Sequence, residues 1–368
     1  MSWRAWIDAR LDEVRAKGQW RSVRDLSSGT PSTRLVAEAR DVITFASNDY
    51  LGLSQHPRVI AAAVAALERY GTGAGASRLV VGSRPVHHEL ECALAEWKGT
   101  DAAILFPTGY MANVGVLTAL AADVETVIVS DERNHASIID GARLARGRVE
   151  IFHHGDLDQL EALLRDAPRA LVITDTVFSM DGDVAPVDDL VACCRRHGAL
   201  LVLDEAHAVL GPTSPAGNDV VLVGTLSKAL GSVGGFVAAS REVVDLLRNT
   251  ARSFIFTTAP APADSAAALA ALEVVRSSEG DELRRRLRAN VDRVRPGHPS
   301  PIVPVIVGDE RDAIAASDAL LERGLLVPAI RPPTVPPGTS RLRVALSAAH
   351  TSSQVDMLVA ALRDLGLG

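Results

Sequence analysis

The residues with the clearest chemical meaning are a lysine, an aspartate and a histidine in the middle of the chain. Lys228 stands in the run Gly-Thr-Leu-Ser-Lys-Ala-Leu-Gly, shortly after the run Asp-Glu-Ala-His that contains Asp204 and His207. A lysine amine can form an imine with an aldehyde cofactor, and an aspartate can keep the nitrogen of its pyridine ring protonated. A histidine can contact the polar substituents of that ring. Each residue alone is more often a surface or capping residue, but the combination predicts a site for such a cofactor.

Asp204 is predicted to end a buried strand, because the apolar run 199–203 directly precedes this residue. Open α/β sheets bind ligands at the carboxyl edge of their strands. Apolar runs alternate with amphipathic stretches such as 59–70, 87–97 and 187–197, which predicts an α/β fold with a mainly parallel seven-stranded sheet flanked by helices. The predicted strands are Ala102–Phe106, Thr126–Ser130, Val149–His153, Ala170–Asp175, Ala199–Asp204, Val220–Gly224 and Gly235–Ala239.

The pattern changes after residues 277–280. Beyond that point the sequence predicts helices near 281–295, 311–323 and 352–365, and strands at 302–307 and 341–347. This mixture predicts a smaller α+β domain. We therefore expect three parts, which are an N-terminal arm (1–44), a large domain (45–276) and a small C-terminal domain (277–368).

Composition excludes several classes of protein. The 368 residues are 47% apolar and 23% charged, which is ordinary for a globular protein, and the net charge of -7 contains no acidic or basic block. We expect neither nucleic acid nor a membrane as a partner. Three cysteines, at 92, 193 and 194, give neither a disulfide framework nor the spacing of metal ligands. The N-terminal 20 residues resemble an amphipathic helix rather than a signal peptide, so we expect a cytoplasmic protein.

Three loops that follow predicted strands supply further candidates. Gly109 and Tyr110 open a helix, where free N–H groups attract a phosphate and Tyr110 can border the cofactor. His135 also opens a helix, and it either lies flat on a pyridine ring or caps that helix. Ser179 either donates a hydrogen bond to the phenolic oxygen of the cofactor or is an ordinary turn serine.

Two arginines in the predicted small domain are candidates for binding a carboxylate. Arg331 lies in the run Ile-Arg-Pro-Pro-Thr-Val-Pro, and Arg343 lies in the run Arg-Leu-Arg-Val. A guanidinium group binds a carboxylate through two parallel hydrogen bonds, as recognition of an amino acid requires. A lone arginine is more often a solvated surface residue, so the spacing alone leaves both interpretations open.

Together these motifs resemble the α-oxoamine synthases, a branch of the fold-type-I enzymes that use pyridoxal 5'-phosphate (PLP). The resemblance runs along the whole chain and is strongest in the segments 47–53, 75–80, 204–207 and 225–231. It implies PLP as cofactor and a homodimer with active sites at the interface, where Thr257 and Thr258 reach the phosphate of the neighbouring subunit. It implies catalytic roles for Lys228, Asp204 and His135, and cofactor contacts for Gly109, Tyr110, Ser179, His207 and Thr225.

Within this family the segment 331–336, the opening residues Met-Ser-Trp and Arg21 resemble the enzymes that act in biotin synthesis. That likeness implies condensation of L-alanine with a pimeloyl thioester, carried by coenzyme A or by acyl carrier protein. It implies substrate contacts for Arg21, His135, Arg331, Thr334 and Arg343. The segment 208–217 is shorter than the family usually has, which affects the expected entrance for the acyl chain. A sister enzyme using glycine or serine, an aminotransferase and an inactive regulatory relative remain the alternatives.

Overall fold

The structure, a computed structural model, describes residues 1–211, 214–215 and 217–368. It begins with helix α1 (Trp3–Ala16), which starts where the Ser2 side chain accepts a hydrogen bond from the backbone of the first turn. Strands β1 (Ser32–Leu35) and β2 (Arg40–Thr44) follow and pair in antiparallel fashion. A short 3-10 turn (Leu53–Gln55) then leads into the main part of the fold.

The centre of the molecule is a seven-stranded sheet in the order β3-β9-β8-β7-β6-β4-β5. Its strands are β3 (Ala102–Phe106), β4 (Thr126–Asp131), β5 (Arg148–Phe152), β6 (Arg169–Asp175), β7 (Leu200–Asp204), β8 (Val220–Thr225) and β9 (Gly235–Ala239). Strand β9 runs antiparallel to both of its neighbours, and the other neighbouring pairs are parallel. The predicted sheet is confirmed, and each predicted strand end lies within one residue of the observed end.

Both faces of the sheet are buried except along the edge strand β5, which explains why the other strands are largely apolar. In β7, for example, Leu201 and Leu203 belong to the core on one face and Val202 to the core on the other. The covering elements are α2 (Pro57–Tyr70), a π-helical turn (Arg78–Gly82), α3 (Pro85–Lys98), α4 (Gly109–Leu120), α5 (Ala136–Leu144), α6 (Leu157–Arg165), α7 (Val187–His197), α8 (Arg241–Thr250), α9 (Arg252–Ile255) and α10 (Pro262–Val275).

The C-terminal part is a small α+β unit, as predicted. It contains α11 (Ser278–Val294), β10 (Ile302–Gly308), α12 (Glu310–Glu322), β11 (Leu325–Leu326), β12 (Ala329–Ile330), β13 (Ser340–Ala345) and α13 (Ser352–Asp364). Strands β10, β13 and β12 form an antiparallel sheet, whereas β11 pairs in parallel with β2 of the N-terminal segment. Strand β13 ends two residues before the predicted 347 because the chain turns at Ser347, whose hydroxyl donates to the Asp49 carbonyl at 2.7 Å.

The junction between the small unit and the large sheet runs along residues 44–50. The backbone amides of Ala345 and Ala348 donate to the carbonyls of Phe45 and Tyr50 at 2.7 and 2.8 Å. These bonds bring the segment 48–50 beside β13, the strand that carries Arg343. None of the helices in the described part of the chain is long and apolar enough to cross a membrane.

Candidate active site

The carboxyl ends of the central strands meet at one edge of the sheet. Asp175 ends β6, and it pairs in register with Asp204, which ends β7. Thr225 ends β8, and Lys228 follows three residues later. These side chains border a cavity of about 200 Å³, which we call the first cavity. Its lining is Thr108, Gly109, Tyr110, Asn113, His135, Ser137, Asp175, Asp204, Ala206, His207, Gly224, Thr225, Ser227 and Lys228.

The Asp204 carboxylate is buried and held in one orientation. One of its oxygens accepts from the side-chain amide of Asn113 at 2.6 Å, and the other accepts from the backbone N–H of Ala206 at 2.9 Å. The same Asn113 amide donates to the Ser137 hydroxyl at 2.9 Å. Sequence reasoning missed Asn113, although a single amide side chain among the apolar residues of α4 is a signal for a buried polar contact.

The Lys228 amine is also buried, and burial lowers its pKa to about 8. The carboxylates of Asp204 and Asp175 oppose that shift. A lysine with this pKa carries far more of the neutral, nucleophilic amine near neutral pH than an exposed lysine does. The amine therefore suits covalent attachment to an aldehyde.

A chain of hydrogen bonds fixes the position of this amine. The Asn48 side-chain carbonyl accepts from the Tyr50 hydroxyl at 3.0 Å and from the Arg343 guanidinium at 3.2 Å. Because the Tyr50 proton is used there, its oxygen accepts from Nδ1 of His207, 2.6 Å away. Nε2 of His207 then has a lone pair free to accept from the Lys228 amine at 2.7 Å. Burial lowers the pKa of His207 well below its ordinary value, which favours this neutral ring.

His135 lies at the start of α5, as the sequence predicted, and it both caps the helix and lines the cavity. Its backbone N–H donates to the Asp175 carboxylate at 2.8 Å, and its Nδ1 lies 2.8 Å from the Ser137 hydroxyl. Burial lowers the pKa of the His135 ring. Burial and the nearby Asp204 carboxylate raise the pKa of Asp175 well above its ordinary value. The neutral ring offers a flat, weakly polar surface next to the carboxylate of Asp204.

The part of the first cavity around the start of α4 suits an anion. Helix α4 begins at Gly109, directly after Thr108, whose hydroxyl accepts from the third backbone N–H of the helix. The first N–H groups of a helix have no partner within the helix, and they attract a phosphate. The hydroxyls of Thr225 and Ser227, 2.7 Å apart, line the same end. A Cβ added at Gly109 would stand 3.3 Å from the Cβ of Thr225, so the glycine allows this close packing.

The residues of the first cavity therefore fit PLP. It offers an amine for the aldehyde, a buried carboxylate for the ring nitrogen and a helix start for the phosphate. The structure brings seven predicted residues together here, namely Lys228, Asp204, His135, His207, Thr225, Gly109 and Tyr110.

Other predicted residues lie elsewhere. Ser179 and Thr334 line a second cavity of about 520 Å³. Arg343 is buried between the cavities, where its Nε donates to the Ser179 carbonyl at 2.6 Å. Arg331 donates to the Gly18 carbonyl, and Arg21 is exposed and lines neither cavity.

The second cavity adjoins the first at His135, since the preceding residue, Asn134, forms part of its wall. The wall combines apolar and charged side chains. Its lining is Glu132, Arg133, Asn134, Ile139, Phe178, Ser179, Met180, Asp181, Pro333, Thr334, Val335, Pro336, Thr339 and Arg341. The shortened segment 208–217 contains positions 212, 213 and 216, which lie outside the described residues, so its effect on the entrance stays a prediction.

Comparisons with known proteins agree with this geometry. The family model described as aminotransferase class I and II matches residues 40–362. A structure of serine palmitoyltransferase from S. paucimobilis with a bound PLP-myriocin aldimine matches with a TM-score of 0.90 and 31% identity over 100% of both chains. The fold and the site define this chain as a fold-type-I PLP-dependent enzyme, which confirms the predicted fold class and cofactor.

A more specific likeness is to the enzymes named 8-amino-7-oxononanoate synthase. The chain is 48% identical over 383 residues to the one from Geobacter sulfurreducens, covering 98% of this chain and 97% of that protein. The solved structure of the one from Francisella tularensis matches with a TM-score of 0.73 and 26% identity, covering 88% and 98%. The chain belongs to the 8-amino-7-oxononanoate synthase family of PLP-dependent acyltransferases, and the predicted resemblance to α-oxoamine synthases is confirmed.

Proposed function

We propose that the enzyme condenses L-alanine with a pimeloyl thioester of coenzyme A or acyl carrier protein, with release of CO2 and free thiol. The product is 8-amino-7-oxononanoate, and the reaction serves biotin synthesis. One observation carries the proposal, which is a buried lysine, hydrogen-bonded to His207 at 2.7 Å, in a cofactor-sized cavity beside a second cavity large enough for an acyl chain. The names of the close relatives support the same reaction.

Lys228, Asp204 and His207 can each have a distinct role in this reaction. When bound, PLP supplies the electron sink for a carbanion at Cα of the amino acid. Lys228 would hold the cofactor covalently through its aldehyde, and its free amine would serve as the base for the Cα proton of alanine. Asp204, oriented by Asn113, would keep a proton on the ring nitrogen. His207 stays neutral and holds the Lys228 nitrogen in place between these steps.

We propose that Arg343 binds the carboxylate of alanine. The guanidinium is buried and uses two of its donors on Ser179 and Asn48, so further N–H groups remain for a carboxylate. Asn48 also begins the hydrogen-bond chain that ends at Lys228. A carboxylate held at Arg343 would therefore place Cα of alanine within the reach of the lysine.

We propose that the acyl chain occupies the second cavity, with Thr334 among its contacts. Its far carboxylate needs a positive partner, and the sequence suggested Arg21 or Arg331. Within the described structure, Arg133 is better placed, because it lines the cavity and its guanidinium makes only a loose ion pair with Asp181 at 3.6 Å. Either Arg21 or Arg331 would have to leave its present position to reach the same chain.

We propose that the enzyme is a homodimer and works in the cytoplasm. Leu79, Val80 and Val81 in the π-helical turn are 52%, 72% and 68% exposed, and Phe256 just after α9 is 70% exposed. Adjacent exposed apolar side chains of this size indicate a surface that another protein covers. Thr257 and Thr258 follow Phe256 directly, and the family resemblance implies that these hydroxyls reach the phosphate site of the second copy. Val80→Glu should shift the mass measured by light scattering from dimer to monomer.

The test of the proposed reaction is a matrix of substrates. L-alanine, glycine and L-serine are each paired with pimeloyl, octanoyl and acetyl thioesters, and thiol release is measured. We expect the highest kcat/KM for L-alanine with the pimeloyl thioester. Faster turnover of glycine with the acetyl thioester would assign the chain to a sister enzyme. Conversion of alanine to pyruvate without thioester, in the presence of a 2-oxo acid that accepts the amino group, would reveal an aminotransferase.

The same matrix locates the partner of the far carboxylate. Arg133→Ala should raise KM for the pimeloyl thioester by about tenfold, roughly the loss of one charge-assisted hydrogen bond, and spare the octanoyl thioester. Arg21→Ala is the matched comparison. A selective rise in KM in Arg21→Ala instead would return the role to the N-terminal arm.

A further inference from the structure

The loop between β6 and α7, residues 178–183, separates the binding sites proposed above. Its residues Phe178, Ser179 and Met180 line the second cavity, and the Ser179 carbonyl holds Arg343 at 2.6 Å. The loop closes on itself through bonds between the backbones of Phe178 and Asp183 at 3.0 Å and of Gly182 and Phe178 at 2.8 Å. A displacement of this loop would change the position of Arg343 and the shape of the second cavity, which we call the acyl cavity because it is the proposed site of the acyl chain.

His154 joins this loop to the central sheet. Its Nε2 lies 2.6 Å from the Asp183 carboxylate, and its Nδ1 lies 3.1 Å from the carboxylate of Asp131, the last residue of β4. The imidazole also packs edge-on against the Phe178 ring, with centroids 4.4 Å apart. An ionised carboxylate can only accept hydrogen bonds, so two carboxylates on opposite ring nitrogens require a proton on each nitrogen. The geometry therefore requires the imidazolium form.

The sheet side of this contact is fixed independently of the loop. The buried Asp131 carboxylate also accepts from the backbone N–H groups of Arg133 at 2.8 Å and Gly155 at 3.4 Å. On the loop side, Asp181 is paired with Arg341 and with Arg133. His154 thus links the loop to the end of β4 through both ring nitrogens, beside the looser pair of Arg133 with Asp181.

We propose that His154 is a positioning residue for substrate binding, whose imidazolium holds the loop 178–183 in the place that forms the acyl cavity and supports Arg343. The inference rests on the proposed function for the identity of the substrates. Lys228 and Asp204 make no direct hydrogen bond to His154, to Asp131 or to the loop 178–183 in the described structure, so we expect the bound cofactor to survive the loss of His154.

The contact of His154 with Asp131 and Asp183 should weaken as the pH rises. Hydrogen bonds to Asp131 and Asp183 raise the pKa of His154 to about 9. A raised pKa contributes stability that is complete below the ordinary value near 6.5 and is lost as pH rises through about 9. The ionisable groups that face the cluster from the surrounding elements are Asp131, Glu132, Arg133, His153, Asp156, Asp181, Asp183 and His298.

The first test measures the loop directly. Hydrogen–deuterium exchange of the amides of residues 178–183 is compared at pH 7 in holoenzyme of wild type, His154→Gln, His154→Arg and His153→Gln. We expect exchange about tenfold faster in His154→Gln and little change in His154→Arg, which keeps the charge. His153 is the matched control, because it is the neighbouring, exposed histidine whose partner is Glu132.

The second test measures the consequence for substrate. The Kd of a non-cleavable pimeloyl thioether of coenzyme A should rise about tenfold in His154→Gln, with unchanged absorbance of the bound cofactor. In wild type this Kd should rise as pH passes about 9, the pKa of His154, whereas in His154→Gln it should stay flat with pH. This result would distinguish a role of His154 in positioning the loop from a general loss of protein stability in the variant.

Three results would overturn the inference. These are wild-type exchange and Kd in His154→Gln, equal changes in His153→Gln, or a loss of cofactor binding in parallel with the thioether. Failure of wild type itself to bind the thioether would instead reject coenzyme A as the carrier of the pimeloyl group. The exchange comparison would still decide whether His154 holds the loop.

Discussion

The hydrogen-bond chain behind Lys228 predicts that the buried Tyr50 hydroxyl, which reaches the lysine only through His207, controls the active site. Tyr50→Phe keeps the shape of a fully buried side chain and removes only its oxygen. The change leaves Nδ1 of His207 without the acceptor that now lies 2.6 Å away. A buried polar group without a partner costs about 1–3 kcal/mol, which corresponds to roughly a 5- to 150-fold change in an equilibrium or a rate.

We expect the cost in cofactor affinity and in kcat rather than in the KM of the acyl thioester, because the chain ends at Lys228. The assay is titration of the apoprotein with PLP by absorbance, followed by steady-state kinetics of the saturated enzyme. Tyr70→Phe is the control, since the Tyr70 hydroxyl has no hydrogen bond to the described residues and its ring packs under Arg69. Wild-type cofactor affinity and kcat in Tyr50→Phe, or equal losses in Tyr70→Phe, would show that the Tyr50 hydroxyl does not control Lys228.

Further predictions concern the charged groups of the site. Asp204→Asn should still bind PLP covalently but should lower kcat by orders of magnitude, because a neutral amide cannot hold the proton on the ring nitrogen. A wild-type kcat in this variant would show that Asp204 has only a structural role at the end of its strand. Arg343→Ala should raise KM for alanine about 10- to 100-fold, and an unchanged KM would exclude it as the carboxylate ligand. Capture of PLP by the apoprotein should accelerate as pH rises to about 8 and then level, because burial sets the pKa of Lys228 there; a rate still rising toward pH 10.5 would contradict this.

The site residues that lie at or just after the carboxyl ends of strands could be predicted from the sequence. Asp204 follows a run that is apolar at every position, and such a run is buried on both sheet faces, so its carboxyl end had to lie at the ligand-binding edge. Gly109 follows strand β3 and His135 follows strand β4 by the same logic, and both line the same cavity. Each of these cofactor-site residues can therefore be predicted from the short segment of sequence around it.

The parts that depend on distant contacts could not be predicted in this way. Tyr50 meets His207 across 157 positions, and Asn113 meets Asp204 across 91, which no periodicity reveals. Ser179 was expected at the cofactor, yet its side chain borders the second cavity because the loop 178–183 is held toward β4 and β13. Its predicted cofactor contact remains a prediction for the bound state.

The proposed condensation is tested most directly by following the carboxyl carbon of alanine. L-alanine labelled at that carbon is incubated with a pimeloyl thioester and the PLP-loaded enzyme, and labelled CO2, free thiol and 8-amino-7-oxononanoate are measured together. We predict that all three appear in equal amounts in wild type and that none accumulates in Lys228→Ala. Thiol without labelled CO2, or product formation by Lys228→Ala at the wild-type rate, would contradict the account.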